Sequence, residues 1–353
     1  MCGTYSDYKH NTSGHINRTY VLTTKDGEKE RRYTMQAINT SVFKNPAQLV
    51  ENIENVTSFL REKIRAEGGD PARGTLRLIR TTEGDLFYKD ADGISWRMYD
   101  YIDDVKCCDQ VESPALFFGA GKAFGHFQRL LADYPAEKLF ETIPHFHDTV
   151  SRLADFRRAV EEDRVGRKDS VRDEIARYLA FADRCDAITS RIADGSVPLR
   201  VTHNDTKLNN ILLDPDTMEG VCIIDLDTVM PGSALYDFGD SIRFGANNAA
   251  EDEKDLSKVY LRLDLFEAFT KGFLSEVGNV LTETEIGLLP MSGLLMTLEC
   301  GMRFLGDYLN GDVYFGIKYP EHNLDRARTQ IGLVEDMDRH MAEMNAIVAK
   351  YRN

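Results

Sequence analysis

The sequence predicts an α+β protein of two lobes, a small sheet with one helix followed by a larger and mainly helical part. Strand-type runs crowd the chain up to Ile102, whereas helical spacing of apolar residues dominates after Cys108. A chain of 353 residues with 42% hydrophobic content is also long enough to bury a sizeable core, and its length favours two units, placed at residues 1–102 and 103–353.

In the first part, Thr19 to Thr24 and Arg32 to Ile38 are β-rich runs joined through Asp26-Gly27, a hairpin turn signal. Leu76 to Thr81 and Ser95 to Ile102 read as further strands. Between them Asn45-Pro46 supplies a cap and a first-turn proline, and Leu49, Val50, Ile53, Val56, Leu60 and Ile64 repeat at helical spacing. The second part opens with a helix at Ser113-Pro114, its apolar face built from Phe117, Phe118, Gly121, Phe124, Phe127, Leu130 and Leu131. Further helices are expected over Arg172 to Ile192 and along Leu256 to Phe273. Thr282 with Glu285 matches a capping box ahead of another helix, and a polar-faced helix over Leu324 to Tyr351 closes the chain. Leu199 to Thr202 and Gly220 to Ile224 are the strong short strands of this part.

The 43 Lys and Arg against 58 Asp and Glu give a formal charge of −15, which repels nucleic acid and anionic membranes over most of the surface. A small anion such as ATP stays compatible, because a few local cations, backbone amides and a divalent metal hold it against the global field. Cys2, Cys107, Cys108, Cys185, Cys222 and Cys300 lack metal-site or framework spacing, which suits a reducing compartment. Nothing at the start resembles a signal peptide, and the most apolar stretch, Gly287 to Met302, carries Pro290 and Glu299 and is too short to span a bilayer. A cytoplasmic monomer without nucleic-acid or membrane partners is expected.

Chemistry concentrates in Val201-Thr-His-Asn-Asp-Thr-Lys-Leu-Asn-Asn210 and the later Ile224-Asp225-Leu-Asp227. A phosphoryl acceptor hydroxyl needs a carboxylate to orient it and take its proton, the role assigned to Asp205. A magnesium ion needs hard oxygen ligands, for which the Asn210 amide oxygen and the Asp225 carboxylate are the candidates. Lys207 is placed to reach the transferring phosphate as a point charge, or else is an exposed loop lysine. His203 packs under the loop and holds its backbone through a ring N–H. Asp227, two residues beyond Asp225, faces the same side if the strand continues and would act on the metal from its outer sphere. Asp237 and Asp240 brace the loop through backbone amides. His145-Phe-His147-Asp148 has ligand-like residues, but two histidines at this spacing serve hydrogen bonding more often than a metal.

These strings, with Tyr236-Asp-Phe-Gly-Asp-Ser-Ile-Arg-Phe-Gly-Ala246, resemble the aminoglycoside phosphotransferase and choline kinase superfamily, whose fold is similar to that of protein kinases. Gly14-His-Ile-Asn17, His145-Phe-His-Asp148, Glu299-Cys-Gly-Met-Arg-Phe304 and Lys318-Tyr-Pro-Glu-His-Asn-Leu324 narrow the resemblance to its N-acetylhexosamine 1-kinases. The resemblance implies that ATP phosphorylates the anomeric hydroxyl of N-acetylglucosamine or N-acetylgalactosamine, with Asp205 as base and Mg2+ on Asn210 and Asp225. It also implies that Arg303 and Tyr314 contact the sugar, that Gly14, His15 and Asn17 lie in the turn over the ATP phosphates, and that Tyr99 to Ile102, with Tyr101, form the adenine-reading link. Gln36 falls where protein kinases carry a third-strand lysine and is followed by Ala37 instead of the arginine frequent in this group. The first strand and leading segment usual in the family are expected to be missing or shortened. Two rival readings stay open: a kinase of another small alcohol such as choline, homoserine or an aminoglycoside, and a nucleotide-binding scaffold without catalysis.

Overall fold

Five antiparallel strands form the small lobe in a computed structural model that describes residues 3–11 and 16–352. β1 (Thr4–Asn11), β2 (Arg18–Asp26), β3 (Lys29–Ala37), β4 (Tyr88–Lys89) and β5 (Ser95–Asp100) lie in the order β1-β2-β3-β5-β4. The β2–β3 hairpin pairs Asp26 with Lys29 and turns at Gly27, whose φ of 63° suits the first central position of a type II′ turn. A first strand is therefore present, contrary to expectation. β1 is exposed along its whole length, and its residues, Thr-Tyr-Ser-Asp-Tyr-Lys-His-Asn, carry no apolar alternation to announce it. Leu76 to Thr81 is not a full strand: it contributes one bridge, Leu78 to Tyr99, before Thr81 turns back on Asp85.

α1 (Pro46–Ala66) packs its expected apolar face into the core, and the Asn45 side chain accepts from the Gln48 amide at 3.3 Å. The buried Asn52 on α1 joins the lobes: its amide donates to the carbonyls of Phe140 (2.8 Å) and Val229 (3.0 Å), and its oxygen accepts from the Phe140 amide (2.9 Å). After the short α2 (Pro71–Gly74), the larger lobe contains α3 (Pro114–Leu130), α4 (Thr149–Glu162), α5 (Arg172–Leu179), α6 (Thr189–Ala193), α7 (Ala234–Gly245), α8 (Leu263–Val277), α9 (Glu283–Asn310), α10 (His322–Arg339) and α11 (Met341–Tyr351). Two ribbons carry the chemistry-bearing loops, β6 (Arg200–Thr202) with β9 (Met230–Gly232), and β7 (Ile211–Leu213) with β8 (Gly220–Ile223).

Three helical expectations change, and one helix, α4, was not anticipated. The helix expected from Leu256 starts at Leu263: Leu256–Lys258 is a 3-10 turn and Leu261 bridges Asn247. The single helix over Arg172 to Ile192 is broken into α5 and α6 by a 3-10 turn at Ala182–Arg184. The closing helix is two helices, because the His340 ring nitrogen meets the Asp336 carbonyl at 2.9 Å and closes the last turn of α10. α4 has only Leu153, Phe156 and Ala159 as its buried apolar stripe, too narrow to stand out among its charges; its N-cap is Asp148, which accepts from the Ser151 amide at 3.0 Å.

The Thr282–Glu285 capping box is formed in both directions, at 2.7 and 3.2 Å, and starts α9. Among the described residues α9 is the one helix long and apolar enough to cross a membrane, but 78% of its most apolar window is buried inside the protein. It serves as the central core helix. Beside it α3 and α8 approach closely through glycine: a Cβ on Gly272 would lie 2.2 Å from the Phe118 carbonyl oxygen, and one on Gly121 2.4 Å from that of Phe269. That contact explains a glycine on the apolar face of α3.

Candidate active site

The loop after β6 turns sharply at Asn204, whose φ of 65° is held by its own side chain donating to the carbonyls of Thr228 (2.8 Å) and Thr202 (3.4 Å). Asparagine tolerates this left-handed conformation better than other side chains bearing a Cβ. Asp237, buried near the N-terminus of α7, accepts the amides of His203 (3.0 Å) and Asn204 (2.8 Å) and the side chain of Gln128 (2.6 Å). Asp240 takes the Thr206 amide at 3.0 Å, so both aspartates brace the loop through backbone amides. His203 accepts the Asp205 amide on Nδ1 (3.2 Å), which leaves Nε2–H to donate to the Ile224 carbonyl (2.9 Å). One ring thus ties the Asp205 loop to the segment that carries Asp225.

Asp205 emerges from this scaffold partly buried. Its Oδ1 pairs with Lys207 Nζ at 2.7 Å, and Asn210 Nδ2 donates to its backbone carbonyl at 2.8 Å and to Oδ2 at 3.3 Å. Those bonds occupy the Asn210 nitrogen and leave its Oδ1 without a donor among the described residues. Protein crowding works to discharge Lys207, but the Asp205 carboxylate outweighs it and the ammonium pKa is raised.

β8 ends at Ile223, and Asp225 takes a left-handed φ of 59°. The residue is solvent-exposed yet its carboxyl is closely surrounded by protein. That crowding first, then the charges of Asp227 and Asp205, push its carboxyl up to about 6. No described group donates to it. The Asp225 carboxylate, with too few cations around it, and the free Asn210 oxygen are the hard-oxygen pair that suits a divalent cation.

The strand does not continue, so Asp227 does not share a face with Asp225. It is buried in a 3-10 turn, where Asn17 donates to Oδ2 at 2.6 Å and the Arg97 guanidinium forms an ion pair with Oδ1. Gln36 is likewise occupied: its amide donates to Thr19 Oγ1 (3.1 Å) and its oxygen accepts from Arg97 Nε and Nη2 (3.0 and 2.8 Å). Asn17 accepts the Asn39 amide at 2.9 Å. Asn17 and Gln36, expected at the nucleotide, therefore have both polar ends committed within the protein. The Tyr101 amide donates to the Arg32 carbonyl (3.2 Å) and its ring lies under the Arg32 guanidinium (4.6 Å), so this amide is already committed within the small lobe. Gly14 and His15 lie outside the described residues.

On the other side of the loop, His147 joins Asp205 to the expected acceptor residues. Its Nε2 meets the Asn204 carbonyl at 3.1 Å and its Nδ1 meets Glu299 at 2.9 Å, while Glu299 also accepts from Thr149 at 3.0 Å. With acceptors at both ring nitrogens the imidazolium is the matched form. Burial opposes the charge, but Glu299 prevails and the pKa is raised. Phe146, next in sequence, lies 5.9 Å from the Arg303 guanidinium, which also lies over Tyr314 (5.7 Å) and Phe315 (5.4 Å); Arg303 Nη2 is 3.5 Å from the Tyr314 hydroxyl. The Tyr314 loop is shaped by Asp307, which accepts the amides of Val313 (3.0 Å), Tyr314 (2.9 Å) and Phe315 (2.9 Å). Sequence reasoning missed Arg97, Glu299 and Asp307. Arg97 had a signal, a charged residue at an inward position of the alternating strand Ser95–Asp100.

The His147 brace has a defined pH dependence. Its folded pKa lies above the unfolded value near 6.5, so its stabilisation is complete below that value and is lost as pH rises through the folded pKa. The difference in urea midpoint between the wild type and His147→Gln should shrink from pH 6 to pH 9; a difference that stays constant or grows would contradict the charged brace.

The architecture and this loop constellation define a kinase-like phosphotransferase class. The family model described as the phosphotransferase enzyme family matches residues 7–269, and the chain belongs to that family. Solved structures agree on the fold. The chain is similar to a choline kinase from Cryptosporidium parvum Iowa II at a TM-score of 0.61 and 14% identity, covering 96% of this chain and 90% of that one. A microcompartment-associated aminopropanol kinase matches at 0.56 and 15%, covering 97% and 94%. A spectinomycin phosphotransferase in complex with ADP and spectinomycin matches at 0.55 and 13%, covering 96% and 93%.

Proposed function

We propose that this chain is an ATP-dependent N-acetylhexosamine 1-kinase that phosphorylates the anomeric hydroxyl of N-acetylglucosamine or N-acetylgalactosamine. The observation that carries the reading is the convergence of Asp205, the free Asn210 oxygen and the uncompensated Asp225, tied together by His203. Asp205 orients the C1 hydroxyl and accepts its proton while the sugar oxygen bonds to the γ-phosphorus and the bond to the β,γ-bridging oxygen breaks, releasing ADP. Lys207, held beside Asp205, is within reach of the transferred group as a point charge. Magnesium, held by Asn210 and Asp225 when bound, offsets the negative charge of the phosphates.

The charges around Arg303 support a neutral acceptor. Choline, a quaternary ammonium alcohol, and aminopropanol, an amino alcohol, are named for two of the solved neighbours, and such cations need carboxylates or open aromatic faces around them. Here the aromatic faces of Phe146, Tyr314 and Phe315 already carry Arg303, and Arg152 stands close enough that burial and then the Arg303 charge lower its pKa. A guanidinium fork with tyrosine suits the hydroxyls and ring face of a neutral sugar. Phosphorus NMR on a panel of acceptors with ATP and magnesium should show a sugar 1-phosphate from an N-acetylhexosamine; turnover of choline or an aminoglycoside with no sugar product would refute the assignment.

A further inference from the structure

Arg97 is a cation without an evident purpose in the scheme above. It is 2% exposed, on the inward face of β5, in a cluster already holding the carboxylates of Asp225 and Asp227. Its fork is only partly used. Nε and Nη2 share the Gln36 oxygen, Nη2 also pairs with Asp227, and the Tyr99 ring lies 5.3 Å away, while Nη1 is buried with no hydrogen-bond partner among the described residues. A guanidinium is planar, so the Nε–Nη2 edge given to Gln36 turns Nη1 away from β3 and onto the side where Nη2 meets Asp227. That side belongs to the acidic turn of the larger lobe that also carries Asp225.

A buried donor left unpaired is costly, and a guanidinium matches the oxygens of a phosphate better than it matches water. We infer that Arg97 binds the polyphosphate of the nucleotide through Nη1, with Gln36 and Asp227 as its positioning residues. This rests on the kinase reading and deepens it: β3 offers a glutamine, and the cation reaches the phosphates from β5 instead. It also gives a use to Gln36 and Asp227, which both hold the arginine, and to Asn17, which holds Asp227. Asp227 holds the guanidinium but takes only one of its edges.

The test compares ADP with adenosine, two probes that differ in phosphate alone, by calorimetry on the whole chain. Removing Arg97 alone would leave Asp227 buried and uncompensated, so the informative pair is Asp227→Asn against the double variant Arg97→Gln with Asp227→Asn. The double variant should lose roughly 10- to 100-fold in ADP affinity relative to Asp227→Asn, with adenosine affinity unchanged. Arg97→Lys, which keeps the charge and loses the fork, should fall between. Equal ADP-to-adenosine ratios in the two backgrounds overturn the inference while leaving the kinase reading intact, as does a parallel loss for both probes, the mark of a lobe brace. Failure of the wild type to bind ADP overturns both. Should the double variant not fold, an Arg97→Lys protein with wild-type ADP affinity is the overturning result and one with a loss confined to ADP the supporting one.

Discussion

Asp205→Asn should, on the proposed kinase reading, lower kcat by roughly 10²- to 10⁴-fold, the usual size of a general-base contribution, while ADP affinity stays within a few-fold of wild type. The geometry gives the reason. Oδ1 faces the Lys207 ammonium at 2.7 Å and Oδ2 faces the Asn210 amide at 3.3 Å, so a carboxamide must turn its NH2 toward one of two donors. The substituted side chain also has no lone pair basic enough to take the hydroxyl proton. Stability should change little, since Asp205 is partly exposed and the loop is held by other residues through its backbone. Steady-state kinetics with calorimetric ADP binding checks both halves; full turnover would remove Asp205 from the base role, and lost ADP binding would make it a nucleotide residue.

What the sequence disclosed about this site has a physical boundary. Asp205, Lys207, Asn210 and Asp225 lie in segments bracketed by the short strands β6, β7 and β8, so their types and spacing together suggested a phosphoryl-transfer arrangement. The bracing roles of His203, Asp237 and Asp240 follow from the same local logic. Asp227 did not, because placing it beside Asp225 assumed that β8 ran on; the left-handed turn at Asp225, φ 59°, re-aims the following residues into the small lobe. Contacts between distant segments were also hidden. Nothing in the local pattern of Ser95–Asp100 connects Arg97 to Asp227, and nothing in His145-Phe-His147-Asp148 reveals that His147 would span the Asn204 carbonyl and Glu299. β1 was missed for the opposite reason: exposed on both faces, it shows no burial pattern and is identified only by its ladder to β2. Local propensity and periodicity report what a segment buries, and these features bury little or find their partners far along the chain.

Asp237→Asn is expected to show the reverse behaviour of Asp205→Asn, destabilising the fold by about 3 kcal/mol or more. Asp237 is 1% exposed and receives three donors: the His203 amide and Gln128 side chain on Oδ2, and the Asn204 amide on Oδ1. Burial pushes its carboxyl upward, and those donors, with His203, oppose it. An asparagine in the same pose keeps one acceptor oxygen and offers an NH2 to the rest. Whichever way it flips, at least one buried donor loses its partner and meets another donor. The amides released belong to residues 203 and 204, immediately before Asp205, so the Asp205 loop loses its anchor as well as its favourable charge near the positive N-terminal end of α7. Urea unfolding should therefore show a lowered midpoint, and kcat should fall with it. Retained stability with lost turnover would move Asp237 out of the scaffold and into the chemistry, because a group that only braces cannot be removed from a buried three-donor site without cost to the fold.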